Sequence, residues 1–183
     1  HMLELAYENV NQAFGQLLQF SDKTDEQIYK REDTVNYLDK VISEYISTAL
    51  ATPNLNVNIS QALSSYYLML VDIERISDYA VNMNHQATKR LQGDMTISEI
   101  EIVEHMKKLC VDMKNDLDDV EEAERKDDVI DSLVSSWREA QIQALKQKKC
   151  SSEVSMMLSR IFTDFERIND HALNVSQELD KIT

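Results

Sequence analysis

Ile161, Phe165, Ile168, Ala172, Val175 and Leu179 recur at alternating intervals of four and three residues. That period marks one stripe of a helix packed nearly antiparallel in a bundle. Met69, Ile73, Ile76, Ala80, Met83 and Ala87 carry the same spacing. Val35, Leu38, Ile42, Tyr45 and Ala49 form a third stripe, and Ile130, Leu133, Trp137, Ala140 and Ala144 a fourth. Apolar stripes at this period are core positions. With the capping and breaking residues added, the pattern predicts six long helices over about 3–20, 25–51, 57–91, 98–122, 124–149 and 151–182. Thr52-Pro53-Asn54 ends the second, because Pro cannot continue a helix and restricts the residue before it. Gly93 follows the third, where a helix C-terminus favours glycine. Thr96 with Glu99 three residues on reads as the N-cap of the fourth. The break between the fourth and fifth has no comparable punctuation.

The chain then repeats itself. Val71-Asp72-Ile73-Glu74-Arg75-Ile76-Ser77-Asp78-Tyr79-Ala80-Val81-Asn82 matches Thr163-Asp164-Phe165-Glu166-Arg167-Ile168-Asn169-Asp170-His171-Ala172-Leu173-Asn174, about half a chain later. A fainter match pairs the segment from Glu32 to Leu38 with that from Asp127 to Leu133. Same order and nearly the same spacing predict a duplicated three-helix unit. The halves run over 1–92 and 93–183 and together make one compact domain, with Gly93 at the junction.

Composition agrees. Two glycines and one proline in 183 residues leave no material for tight hairpins, a phosphate-cradling loop or a dinucleotide fingerprint. The fold class is therefore all-α, two three-helix bundles of six long helices. A hydrophobic content of 43% supplies a core. The net charge of −14 repels nucleic-acid backbones and anionic lipid and favours cations or basic partners. No apolar run exceeds Tyr66 to Val71, too short to span a bilayer. Cys110 and Cys150 are too few for a disulfide framework. His1 before Met2 reads as a cloning remnant, which predicts that the chain is a piece of a longer protein.

The acids fall into ladders. Glu74 and Asp78 stack one turn apart, facing away from their stripe, and Asn82 and His85 continue the row. Glu166, Asp170, Asn174 and Gln177 form the equivalent row. Glu32 with Asn36, and Asp127 with Asp131, also stand four apart, away from their stripes. Where the helices lie side by side, three or four carboxyl groups converge in each half. Like charges four apart cost about 0.2–0.5 kcal/mol per pair, so their recurrence in both halves points to a cation site. Carboxylate clusters suit hard cations such as Mg²⁺, Mn²⁺, Ca²⁺ or ferric iron. Taken singly, such pairs are solvated surface acids. Arg75 and Arg167 read as one-turn partners of Asp72 and Asp164. His85, His105 and His171 stand alone and read as surface residues. No Glu has a His three residues on, as a ferritin-like di-iron site requires.

The duplicated Asp-x-Glu-Arg-Ile-x-Asp-x-Ala-x-Asn, at 72–82 and 164–174, resembles the signature of the PhoU family. The preceding acid-rich helix of each half strengthens the resemblance, which covers nearly the whole chain. It implies a PhoU-like fold and a non-catalytic role in regulating bacterial phosphate uptake, with iron or Mg, Mn, Ca or Zn on surface carboxylates and no organic cofactor. By that resemblance Glu32, Glu74, Asp78, Asp127, Asp131, Glu166 and Asp170 are the ligands. Asp72, Arg75, Asn82, Asp164, Arg167 and Asn174 complete the motif. Asn36 stands where the pattern has Asp, which implies a weaker first-half site. The favoured context is the cytoplasmic C-terminal domain of a sodium/phosphate cotransporter, held at the inner membrane by an upstream transporter domain. The alternative is a free-standing regulator of an ABC phosphate transporter and its histidine kinase. Outside that family, a carboxylate di-metal enzyme and a purely structural helical homodimer stay open. The partner in the main reading is a membrane phosphate transporter, and no nucleic acid is involved.

Overall fold

The computed structural model describes residues 1–87 and 94–182. Among these residues every regular element is a helix: α1 (Met2–Leu18), α2 (Asp22–Leu50), α3 (Val57–Gln86), α4 (Ile97–Asn115), α5 (Val120–Lys146) and α6 (Ser152–Asp180). Gly93 and the expected end of the third helix at Leu91 lie outside the described residues.

The helix ends follow local chemistry. Ser21 caps α2 by accepting from the Thr24 N–H, so that helix begins three residues earlier than its hydrophobic pattern suggests. Thr96 and Glu99 form a reciprocal capping box at α4. The break after α4 falls at 116–119, not near 123, because Asp119 caps α5 through the Glu122 N–H. Asn54 and Lys148 take left-handed backbone conformations in the two helix-to-helix turns, with φ of 59° and 56°.

α1, α2 and α3 pack on one another, as do α4, α5 and α6. The two sets meet along α3 against α6 and α1 against α4. Contacts from Asp72 to Asn174 and from Gln86 to Arg160 run in opposite chain directions, so α3 and α6 are antiparallel. One continuous core draws on both sets, with Phe14, Ile76, Met83, Met106, Met113, Ile130, Leu158, Phe162, Phe165 and Ile168 all sealed from solvent. A smaller cluster of Met2, Val35, Ile46 and Leu70 lies under the α2–α3 hairpin.

Two stripe assignments are corrected. Tyr45 is 73% exposed, and Ile46 takes the buried place. Ala140 is exposed, while Val134 and Gln141 face inward. In both outer helices the inward row is therefore offset from the sequence reading. On α2 it runs Ile28, Glu32, Val35 and Ile46, so Glu32 belongs to the buried face rather than standing away from it. On α5 it runs Ala123, Ile130, Val134 and Gln141, with Asp127 at the place of Glu32.

Candidate functional site: paired carboxylate patches

Position x of the duplicated motif, between Ile and Asp, proves to be a buried polar residue in both halves. Ser77 and Asn169 are each fully buried. A lone polar group there would cost free energy, so each needs a partner. Ser77 donates its hydroxyl to the Glu32 carboxylate and accepts from Asn9 Nδ2 at 3.0 Å. Asn9 Oδ1 accepts from Arg31 at 2.7 Å. This chain ties α1, α2 and α3 together beneath the acidic ladder. Asn169 instead donates to its own helix, to Phe165 O at 2.7 Å, and lies beside Cys110.

The first patch gathers Glu32 from α2 with Glu74 and Asp78 from α3. Burial raises the Glu32 carboxyl above the usual range, the Ser77 hydroxyl opposes this, and Asp78 and Glu74 raise it further. Burial and then Asp78 also raise Glu74, against the pull of Arg75, while Asp39 adds to the repulsion. Glu32 is 8% exposed, and its Oε1 has no hydrogen-bond partner. Asn36 is exposed on the outer side of α2.

The second patch gathers Asp127 and Asp131 from α5 with Asp170 from α6. Burial pushes the Asp127 carboxyl up to about 6, helped by Asp131, Asp170 and Asp128. Its Oδ1 is buried without a partner. Glu166 is not among the acids that raise Asp127, and Arg138 Nη2 donates to it at 2.6 Å. Among the described residues no three His, Cys, Asp or Glu side chains stand close enough to form a ready-made metal shell. The donor chemistry nonetheless fits a hard cation. Each patch offers only carboxylate oxygens, and each holds one buried oxygen without a donor.

The arginine pairings differ from the sequence reading. Arg75 bonds Asp78 at 3.3 Å and Arg167 bonds Asp170 at 3.2 Å, one turn ahead rather than one turn behind. Asp72 and Asp164 are thereby released. Asp72 is held across the repeat boundary by His171 Nδ1 at 2.7 Å and Asn174 Nδ2 at 3.1 Å. His171 also stacks on Tyr79, with ring centroids 5.7 Å apart, so it is not a lone surface residue. Nor do the other two stand alone: His85 meets the Tyr29 hydroxyl, and the His105 ring packs edge-on against Trp137. Asp164 has no such clasp among the described residues, and burial pushes its carboxyl up to about 6. Asn82, like Asn174, is exposed at the motif's end. The roles of His171, Ser77, Asn9 and Arg138 are not legible from the periodicity of the chain. The duplicated motif held a signal for two of them: His171 stands opposite Tyr79 in the alignment of halves, and Ser77 opposite another polar residue.

A pH dependence follows from Asp127. Its folded-state value of about 6 lies above the ordinary aspartate value of 3.8, so the folded chain binds more protons between those limits. Stability then falls as pH rises from about 4 to about 6 and stays at the lower level above. Asp127→Asn removes that slope and stabilises the cation-free chain by about 1 kcal/mol at pH 7, after discounting for solvent screening. Urea titrations at pH 4.5 and 7 read the difference. Equal wild-type and variant stabilities at pH 7 would refute the desolvated acid.

Comparisons place this architecture. The PhoU domain family model matches residues 1–87 and 97–179. A relative described as "Phosphate-specific transport system accessory protein PhoU homolog 1" of Thermotoga maritima is 24% identical over 190 residues, covering 97% of this chain and 81% of that protein. The crystal structure of PhoU from Pseudomonas aeruginosa superposes with a TM-score of 0.87 at 19% identity, covering 99% of this chain and 91% of that one. That likeness carries the fold. Six helices in two antiparallel three-helix sets, the duplicated acidic motif and the match over both halves lead to one conclusion: the chain belongs to the PhoU domain family.

Proposed function

We propose that the chain is a non-catalytic regulator of phosphate uptake that acts on a membrane phosphate transporter. The observation that carries this reading is the family match across both halves, with the duplicated acidic motif inside each matched segment. Among the described residues no helix is long and apolar enough to cross a membrane, so the contact with a transporter would be made by helix surfaces. Two attachments fit that role. In one the chain is the cytoplasmic C-terminal domain of a sodium/phosphate cotransporter at the inner membrane. In the other it is free-standing beside an ABC phosphate transporter and its histidine kinase, a form that fits the description of the Thermotoga protein as a transport-system accessory protein. Deleting the gene and restoring it with this chain should return phosphate uptake to its regulated level. Uptake that is the same with and without the chain would sink the reading.

Glu32, Glu74 and Asp78 would hold a hard cation in the first half, and Asp127, Asp131 and Asp170 in the second. Burial first, and mutual repulsion after it, raise Glu32, Glu74 and Asp127, and a bound cation would offset both. Ser77 holds one oxygen of Glu32, and the other is buried without a hydrogen-bond partner. Glu166, paired with Arg138, is left out of the second set. A cation at about a hundred times its Kd stabilises the folded chain by about 2.7 kcal/mol, a rise of several degrees in Tm. Glu74→Gln with Asp78→Asn should reduce both that rise and the metal retained on purification. A Tm unmoved by millimolar Mg²⁺, Mn²⁺, Ca²⁺ or Fe³⁺ in the unmutated chain would remove the cation from the proposal. Oxygen-dependent turnover by metal-loaded protein would replace regulation with di-metal catalysis.

A further inference from the structure

The internal duplication supplies its own control for surface residues. Helix α2 aligns with α5 through the match of Glu32–Leu38 with Asp127–Leu133, and the register persists to Ile46 and Gln141, both buried. On this alignment Tyr37, Val41 and Tyr45 correspond to Ser132, Ser136 and Ala140. All six positions are exposed. On α5 these three positions hold only small side chains, with Val129 the one large apolar group exposed beside them among the described residues. On α2 the same face carries two tyrosines and a valine, exposed by 65%, 43% and 73% in chain order. Spaced four apart, they form one ladder about 12 Å long. Packing inside the chain does not account for them, because the equivalent face of the same fold manages without them. Large apolar and aromatic groups held in water along one line mark a contact surface, and tyrosine is enriched where binding energy concentrates.

Charge selects the occupant. Asp33 and Glu44 border the ladder on one side, with Lys40 between them, on a chain of net charge −14. A second copy or an anionic membrane would bring like charge to like. A protein segment with lysines and arginines around an apolar stripe complements both features. Cytoplasmic segments of membrane proteins carry such an excess of Lys and Arg. We propose that Tyr37, Val41 and Tyr45 form a docking ladder for a basic, amphipathic helix on the cytoplasmic side of the phosphate transporter. This rests on the functional reading above and names the surface that reading lacks. Glu32 lies on the opposite side of α2, so docking and cation binding use different faces.

The test grafts the second half's residues onto the first. Binding of the full chain to the phosphate transporter in nanodiscs of zwitterionic lipid is measured for the unmutated protein and for Tyr37→Ser with Val41→Ser and Tyr45→Ala. Circular dichroism confirms that the variant keeps its fold, as substitutions at exposed positions should. The expected result is a loss of at least about 30-fold in affinity. Tyr37→Phe with Tyr45→Phe should stay within about threefold, and binding should weaken as salt rises. Equal affinity of the triple variant would overturn the ladder while leaving the regulatory role standing. Failure of the unmutated chain to bind the transporter would overturn both. A dimer that the triple variant converts to monomer, or tight binding to transporter-free anionic vesicles, would also overturn the proposal by naming a different occupant.

Discussion

Phe165→Ala should destabilise the whole chain by about 3–5 kcal/mol, the largest effect expected of any single truncation here. The ring is fully buried on α6. It meets Phe14 of α1 edge-on at 6.4 Å and Trp137 of α5 at 6.3 Å, with Trp137 stacked in turn on Phe162 at 6.2 Å. One side chain thus joins three helices drawn from both halves. Removing it deletes apolar contact and leaves a cavity that long, doubly anchored helices cannot collapse around. Folded domains have only about 5–15 kcal/mol in reserve, so the loss takes a large share. Tm should drop by roughly 10 °C or more. Urea unfolding followed by circular dichroism checks both the size and the form: one transition, shifted as a unit. Phe165→Leu should cost far less, about 1.5 kcal/mol or below. A loss under 1 kcal/mol for the alanine variant would mean that the aromatic group is not a joint between the halves.

Glu99→Ala should follow, at about 2–4 kcal/mol. Glu99 is 3% exposed and uses both oxygens. Oε2 accepts from the Thr96 N–H at 2.7 Å and from the Thr96 hydroxyl at 2.9 Å. Oε1 accepts from Gln141 Nε2 on α5 at 2.7 Å. Truncation therefore removes half of a capping box and leaves the buried amide of Gln141 with only the Cys150 sulfur, a weak acceptor at 3.5 Å. Leaving a buried donor without its acceptor is what makes the change costly, more than the loss of the bond itself. Glu99→Gln retains one acceptor oxygen and should recover about half of the loss. Thermal unfolding of the two variants side by side measures this. Equal costs would show that charge at the helix start, not the link to α5, is what matters.

Both predictions concern features with unequal legibility in the sequence. Thr96 and Glu99 could be read directly, because a capping box is local and its spacing is its mechanism. The stripes of α3 and α6 were legible for a similar reason: they face the large shared core, and burial is strict enough to enforce the period. The outer helices were harder. α2 and α5 touch the bundle along one narrow row, so exposed and buried apolar residues alternate without a clean margin. The hydrophobic period alone puts Tyr45 and Ala140 inward on that account, and Glu32 outward. The carboxylate patches were half legible. Spacing along one helix located Glu74 with Asp78 and Asp127 with Asp131. Partners from other helices were out of reach: Ser77 under Glu32, Arg138 on Glu166, and His171 on Asp72 depend on how helices are rotated against one another.

Packing along α3 and α6 has a historical consequence. Those two helices lie in the seam shared by both halves, so a substitution on either is tested against two partners at once. α2 and α5 rest mainly on helices of their own half. After duplication they were the elements at liberty to change without disturbing the sibling copy. The motif has survived on the seam, at 72–82 and 164–174, while the outer pair has drifted into a tyrosine ladder on one side and serines on the other. Symmetry is kept where the copies lean on each other, and individuality accumulates on the flanks.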